Sequence, residues 1–420
     1  MIARAVLTST FWVICAVAGA GDWPQWRGPN HDGKSAETGL LKTWPPEGPR
    51  LLLTIEGIGQ GWSSPAVVGD RIYITGYVRL RVERGVKHDL HVFCFKKDGT
   101  KCWEVSVGPE WEKSNPGAKS MPAVDGDLLY VLTGRGRVTA LEKDSGREVW
   151  AVELTENFKA PIPQHGFTSA VLIDQDKAVC VAGATDACIV ALNKKTGETV
   201  WTSKGLSDPA HYSSPIVFDF EGVRQYVVLT AKGLVSVDAG SGNLLWRYDR
   251  PACKTNANVP TPVYADGYVF CASGYGNGGG AVKLEMKDGK LTATPAWETK
   301  NMDCHHGGFV VVDGCIYGNH ARGWACLDLK TGQKKFIVQP QKGTGVGKGS
   351  IAFADGMLYT LGEDGTMGLV EAKPDEYKLV STFRIPNAGA DTWAHPVISG
   401  GRLFLRRADK LFVCSISPAE

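Results

Sequence analysis

The feature that most constrains this chain is a segment that recurs eight times. It opens on a Pro or small residue, alternates apolar residues, turns at Asp-Gly or Gly-Asp, and reaches an aromatic eight positions after its start. Pro65 to Tyr73, Pro122 to Tyr130, Pro262 to Phe270 and Pro396 to Phe404 share this spacing. Phe309 to Tyr317 and Ile351 to Tyr359 keep it without the proline. Ser169 and Pro215 open two copies with longer turns, at Asp174-Gln175-Asp176 and Asp219-Phe220-Glu221-Gly222. Between Pro65 and Pro396 the copies lie about 47 residues apart.

A second element follows most copies. Ala140 to Trp150 reads ALEKDSGREVW, and Ala191 to Trp201, Ser236 to Trp246 and Cys326 to Phe336 follow the same plan. A shortened version runs from Asp98 to Trp103. Each reads as strand, tight turn, strand: the glycine (Gly146 in the first) supplies the positive φ of the turn, and the aromatic four residues later packs between neighbouring units.

Each unit therefore holds about four short strands, the signature of a propeller blade. The predicted fold is all-β, an eight-bladed β-propeller of four-stranded antiparallel blades. Gly is 51 of 420 residues and no 3.6-residue apolar period is sustained, which excludes a helical solenoid. No blade ends in Trp-Asp, which argues against a WD40 propeller; two stacked sandwiches are the other architecture considered. The eighth copy ends at Ile416 without an outer strand, and Leu51 to Ile55 has no inner strands of its own. Pairing the two closes the ring with an N-terminal strand and removes the exposed edges.

Residues 1–20 read as a signal peptide: a basic start at Arg4, an apolar run broken by Thr8-Ser9-Thr10, and an A-x-A site at Ala18-Gly19-Ala20. The expected protein is exported, periplasmic or extracellular after cleavage near Ala20, with no transmembrane segment in the mature chain. Residues 21–49 form an N-terminal segment, in which Trp23 and Trp26 are expected against the propeller side, and 50–417 a single propeller domain. The net charge of +2 argues against a nucleic-acid partner. Ten of the eleven cysteines follow the signal, and the pairs Cys94/Cys102, Cys180/Cys188 and Cys315/Cys326 each flank a short turn and are candidate disulfides or buried free thiols. No C-x-x-C occurs, so zinc and thioredoxin readings lapse.

In a propeller the residues just before each inner strand rim the central channel. Counting three or four residues back from each blade's anchor gives Trp62, Lys119, His165, His211, Asn258, His305, Lys348 and Trp393, with His306 and His395 close by. Lysines and partly protonated histidines at this depth favour a small anionic ligand such as a carboxylate. The competing reading is a wet rim that is polar for no other reason. No metal site and no catalytic residue is predicted. Ser63, Ser64, Ser213 and Ser214 lack a G-x-S-x-G turn and read as strand starts. Ser273 to Gly280 reads as a loop between second and third strands, and Tyr77 to Leu90 as an insertion on the same face that shapes the rim or contacts a partner.

The element A-x-D-x-x-T-G-x-x-x-W resembles the tryptophan-docking motif of the pyrroloquinoline-quinone (PQQ) type repeat. Asp22-Trp-Pro-Gln-Trp-Arg-Gly-Pro29 and Trp62-Ser-Ser-Pro65 resemble an exported bacterial branch of that family. The resemblance implies an eight-bladed propeller and a choice of functions: a ligand- or protein-binding module, a quinoprotein oxidoreductase using PQQ, or a scaffold in envelope protein assembly like BamB. A quinoprotein dehydrogenase implies further a vicinal Cys-Cys, calcium ligands from Glu, Asn and Asp, and a catalytic Asp; this chain has no Cys-Cys dipeptide. The reading adopted is a binding module, with PQQ implied by the resemblance only and an envelope protein as the alternative partner.

Overall fold

The computed structural model describes residues 21–83, 85–255, 257–341, 345–386 and 391–418; the segment read as a signal peptide lies outside them. Eight antiparallel sheets succeed one another along the chain and form blades 1 to 8. Their inner strands are Ala66–Val68, Ala123–Asp125, Leu172–Asp174, Ile216–Phe220, Val263–Ala265, Phe309–Val312, Gly349–Ala354 and Val397–Ser399. The aromatic that ends each spaced segment (Tyr73, Tyr130, Phe270, Tyr317, Tyr359 and Phe404) is buried between sheets. Blade 8 closes as expected. Leu51–Glu56 pairs antiparallel with Lys410–Ser415, with Leu53 opposite Val413 and Ile55 opposite Leu411.

The docking element has a shared geometry. In every blade the outermost pairing slips by one residue just before a fixed position, occupied by Trp103, Trp150, Trp201, Trp246, Trp297, Phe336, Ser381 or Leu53. A bulge bends the strand and re-aims the side chain that follows it. Here it turns the indole onto the next blade. Trp103, Trp150, Trp201 and Trp297 donate their indole N–H to the carbonyls of Lys143, Lys194, Ala239 and Leu329 at 2.9 to 3.2 Å. Trp246 instead donates to Gln225 of its own blade at 2.8 Å, because blade 5 replaces the Thr-Gly turn with a longer hairpin.

The turn glycine is the indole's seat. Gly197 has φ +76°, and a Cβ there would lie 2.8 Å from Cδ2 of Trp150. Gly197→Ala adds positive-φ strain to overpacking, an expected loss of about 2 kcal/mol, read as a lower urea midpoint with an unchanged slope.

The N-terminal segment does not lie along the propeller side. Trp23 pairs antiparallel with Val67, and Pro24 accepts from the Val124 amide. After a turn, Lys34–Ser35 runs parallel to Phe353–Ala354. The inner strands all run in one sense, so the segment climbs the central channel and descends again. The tip of this hairpin, Trp26 to His31, plugs the channel. Trp26 donates to Thr261 Oγ1 at 2.8 Å, and Arg27 donates to the Phe309 carbonyl. The chain then seals the seam of blade 7, where Trp44 packs on Tyr359 and edge-on against Phe383. The three candidate cysteine pairs are not bridged: all ten described cysteines are free thiols, and all but Cys102 are buried. The closely packed strands make small apolar side chains of them.

Candidate functional site

Above the plug, at the mouth formed by the segments that precede the inner strands, lies a cavity of about 360 Å³. Seven of the ten residues picked from the sequence line it: Trp62, Lys119, His165, His305, His306, Trp393 and His395. Three do not. Asn258 is fully buried and ties its own loop, accepting from the Cys253 amide and donating to the Thr230 carbonyl. His211 stacks beside Tyr212 at 5.2 Å, and Tyr212 takes the wall position. Lys348 stands behind the wall, paired with Glu363 and in contact with His305 Nδ1, both at 3.0 Å. The reason is common to the first two: side chains of extended backbone alternate sides, so an offset of one residue faces away. Ala257 and Val259, on either side of Asn258, both line the cavity.

Other wall residues escaped the count. Trp26 and Arg27 form the floor; their signal was the tryptophan-rich N-terminal segment, whose path only the tertiary structure gives. Tyr275 comes from the glycine-rich turn of blade 5, and its hydroxyl meets His305 Nε2 at 3.0 Å. Of the strand-start serines, Ser214 reaches the cavity wall, where its Oγ accepts the Ala170 amide. Ser64 Oγ accepts the His395 amide across the seam between blades 1 and 8, and Ser350 Oγ donates to the Ala394 carbonyl.

The aromatic rings form a continuous wall. Trp62 stacks on Trp393 at 4.6 Å, Trp393 on His306 at 4.8 Å, and His306 lies 3.7 Å from His305. On the other side, Lys119 places its ammonium 5.9 Å from the Trp62 ring centre. That nitrogen is enclosed and has no hydrogen-bond partner among the described residues. Burial pulls the Lys119 pKa down to about 8, with the charge of Glu110 acting the other way. Glu110 accepts the amides of Gly134 and Trp111, and burial lifts its pKa to about 7. The histidines are held neutral. Burial, then Arg27, brings His395 to about 3. Burial, then His306 and Lys348, brings His305 to about 3. His165 is lowered by burial and by Lys119.

Among the described residues, no Asp or Glu lines this cavity. Among the described residues no group of three or more His, Cys, Asp and Glu is placed to hold a metal ion. Calcium takes six to eight oxygen ligands, so this wall does not fit a calcium-held quinone. Its donors suit an anion.

Residues 88–338 match the family model described as outer membrane protein assembly factor BamB, and the chain belongs to that family of repeat propellers. It is 25% identical over 248 residues to BamB of Yersinia pestis, covering 56% of this chain and 59% of that one. It is 29% identical over 116 residues to a quinoprotein ethanol dehydrogenase of Pseudomonas putida, covering 27% and 18%. The match thus spans just over half the length of the first relative and under a fifth of the second. Among solved structures, BamB from Moraxella catarrhalis superposes with a TM-score of 0.61 at 16% identity, covering 88% of this chain and 98% of that one. A europium-containing methanol dehydrogenase gives 0.64 at 13%, covering 92% and 89%. At these identities the likeness establishes the fold alone. No helix among the described residues is long and apolar enough to cross a membrane.

Proposed function

We propose that this chain is an exported binding propeller whose funnel takes a compact, planar anion, with an aromatic carboxylate as the simplest representative. The observation that carries this reading is the wall itself. It combines two cationic side chains, Lys119 and Arg27, with stacked indoles and imidazoles, and no Asp or Glu is among its described lining residues. An enclosed ammonium with no hydrogen-bond partner among the described residues attracts an incoming anion. The flat faces of Trp62, Trp393 and Tyr212 favour a ring.

The test is quenching of tryptophan fluorescence by 1,4-benzenedicarboxylate, with its diamide as the neutral analogue. The dicarboxylate is expected to bind and the diamide to bind at least tenfold more weakly. Lys119→Met is expected to cost the dicarboxylate about tenfold in Kd, the equivalent of one charge-assisted contact. Equal affinity for the two compounds sinks the anion reading.

A second reading, a scaffold for an envelope protein, is supported by the family and by blade 1. There Arg71–Val82 and Gly85–Lys96 form a hairpin longer than those of the neighbouring blades, with Leu80, Val82 and Val86 exposed near its end. Crosslinking from that tip in envelope fractions, with none from Leu244 of blade 4 as control, separates it from a pure ligand binder. Export itself is tested by the N-terminal residue of the mature protein, expected to follow Ala20.

A further inference from the structure

His306 is placed differently from the other wall histidines. It precedes the inner strand of blade 6, and its Nδ1 lies 3.1 Å from Glu363 Oε1, at the end of Met357–Gly362 in blade 7. Glu363 is in turn paired with Lys348 at 3.0 Å. The His306 ring is clamped between Trp393 and His305. Its backbone carbonyl meets His395 Nε2 at 3.0 Å, which holds the main chain as well. With Nδ1 engaged, Nε2 remains without a hydrogen-bond partner among the described residues. It is not one of the enclosed nitrogens, and the residue lines the cavity. A carboxylate that fixes one nitrogen of an imidazole while the other faces a ligand cavity is the arrangement of a general base.

We propose that His306, oriented by Glu363, is the general base of a hydrolytic site that acts on an anionic aromatic ester held in the funnel. This rests on the anion-binding reading and goes beyond it. Water is the nucleophile, because the serine hydroxyls are engaged: Ser350 with the Ala394 carbonyl, Ser64 with the His395 main chain, and Ser214, which lines the cavity, with the Ala170 amide. A water proton passes to Nε2 as the water oxygen bonds to the acyl carbon. Glu363 holds the Nδ1 proton and stabilises the imidazolium. The acyl carbon–oxygen bond then breaks, and the imidazolium returns its proton to the leaving oxygen. Ester and water become acid and alcohol, with no oxidant or reductant. The groups facing the base agree with this role: Lys348 neutralises Glu363, and burial holds His306 below its usual pKa although Glu363 opposes it.

The experiment follows 4-nitrophenolate release from mono-4-nitrophenyl terephthalate by the full chain. Turnover inhibited by 1,4-benzenedicarboxylate is expected. His306→Gln should lower it by on the order of a hundredfold, the usual share of general-base catalysis. Glu363→Gln is the second variant if the first fails to fold. It should lower the rate less and move the acid limb of the pH profile to lower pH, since loss of the carboxylate makes the imidazole less basic. His88→Gln, on the blade 1 hairpin, should leave the rate unchanged. Dicarboxylate binding without turnover, or turnover indifferent to both variants, overturns the base assignment and leaves the binding reading standing. Absence of dicarboxylate binding removes both.

Discussion

Arg406→Met is expected to lower stability by about 3 kcal/mol and to weaken ligand binding with it, although Arg406 does not line the funnel. The residue lies in Arg402–Arg407 of blade 8, and its side chain is 1% exposed. Nη1 donates to the carbonyls of Ser63 and Thr75 at 3.1 and 2.7 Å, Nη2 to Gly59 at 2.9 Å, and Nε to Ala408 at 3.1 Å. Three of these four acceptors belong to blade 1 or to the segment leading into it, so one guanidinium staples the ring where it closes. No carboxylate among the described residues pairs with it, and burial brings its pKa down to about 9 against the charge of Asp409. Methionine relieves the cost of burying the charge but leaves carbonyls facing an apolar side chain, at about 1 kcal/mol or more for each. Lysine does not rescue it, since a single ammonium cannot serve the planar spread of acceptors. The segment from Gly59 to Ser63 carries Trp62, so the wall loosens with the seam. Urea denaturation and dicarboxylate titration of Arg406→Met check both parts; a variant as stable as the parent sinks the staple.

The second large effect is acid sensitivity above the usual carboxylate range. His395 is buried with a pKa near 3, and His31, in the channel plug, is brought to about 4, chiefly by burial. Both are held below the unfolded value of 6.5. A depressed histidine contributes stability that is fully present above 6.5 and is lost as pH falls toward its folded pKa. Each takes up to about 1.4 kcal/mol per pH unit across that window. Glu110 acts in the opposite direction. With its folded pKa raised to about 7, its contribution is present below 4.5 and lost as pH rises to 7. Against that one carboxyl stand two fully buried histidines and the half-buried His305. The net expectation is a loss of several kcal/mol between pH 6.5 and 4.5. His395→Gln should flatten the slope by about one histidine's share, and Glu110→Gln should steepen it. Melting temperatures across pH 7 to 4.5 decide; a profile flat over that range overturns the assignment.

Much of this molecule is legible in its sequence. The spaced Pro-to-aromatic segments carried the blade count, because each blade must bury the same face in the same way. The missing outer strand of the eighth copy carried the closure. Part of the site was legible as well, since a residue's place relative to its inner strand sets its depth in the channel. Side was not legible at Asn258 and His211, where one residue of offset turned the side chain from the cavity. Nor was the floor. Trp26 and Arg27 reach it only because the N-terminal hairpin threads the channel. Nothing in a local pattern records that a segment crosses from blade 1 to blades 5 and 6.

The eightfold repeat therefore determined the scaffold, because period, alternation and turn glycines are local properties of the chain. The tertiary structure alone decided what stands over the channel. The stack of Trp62, Trp393 and His306, the enclosed Lys119 ammonium and the pairing of His306 with Glu363 join residues from different blades. Such contacts arise only when the ring closes.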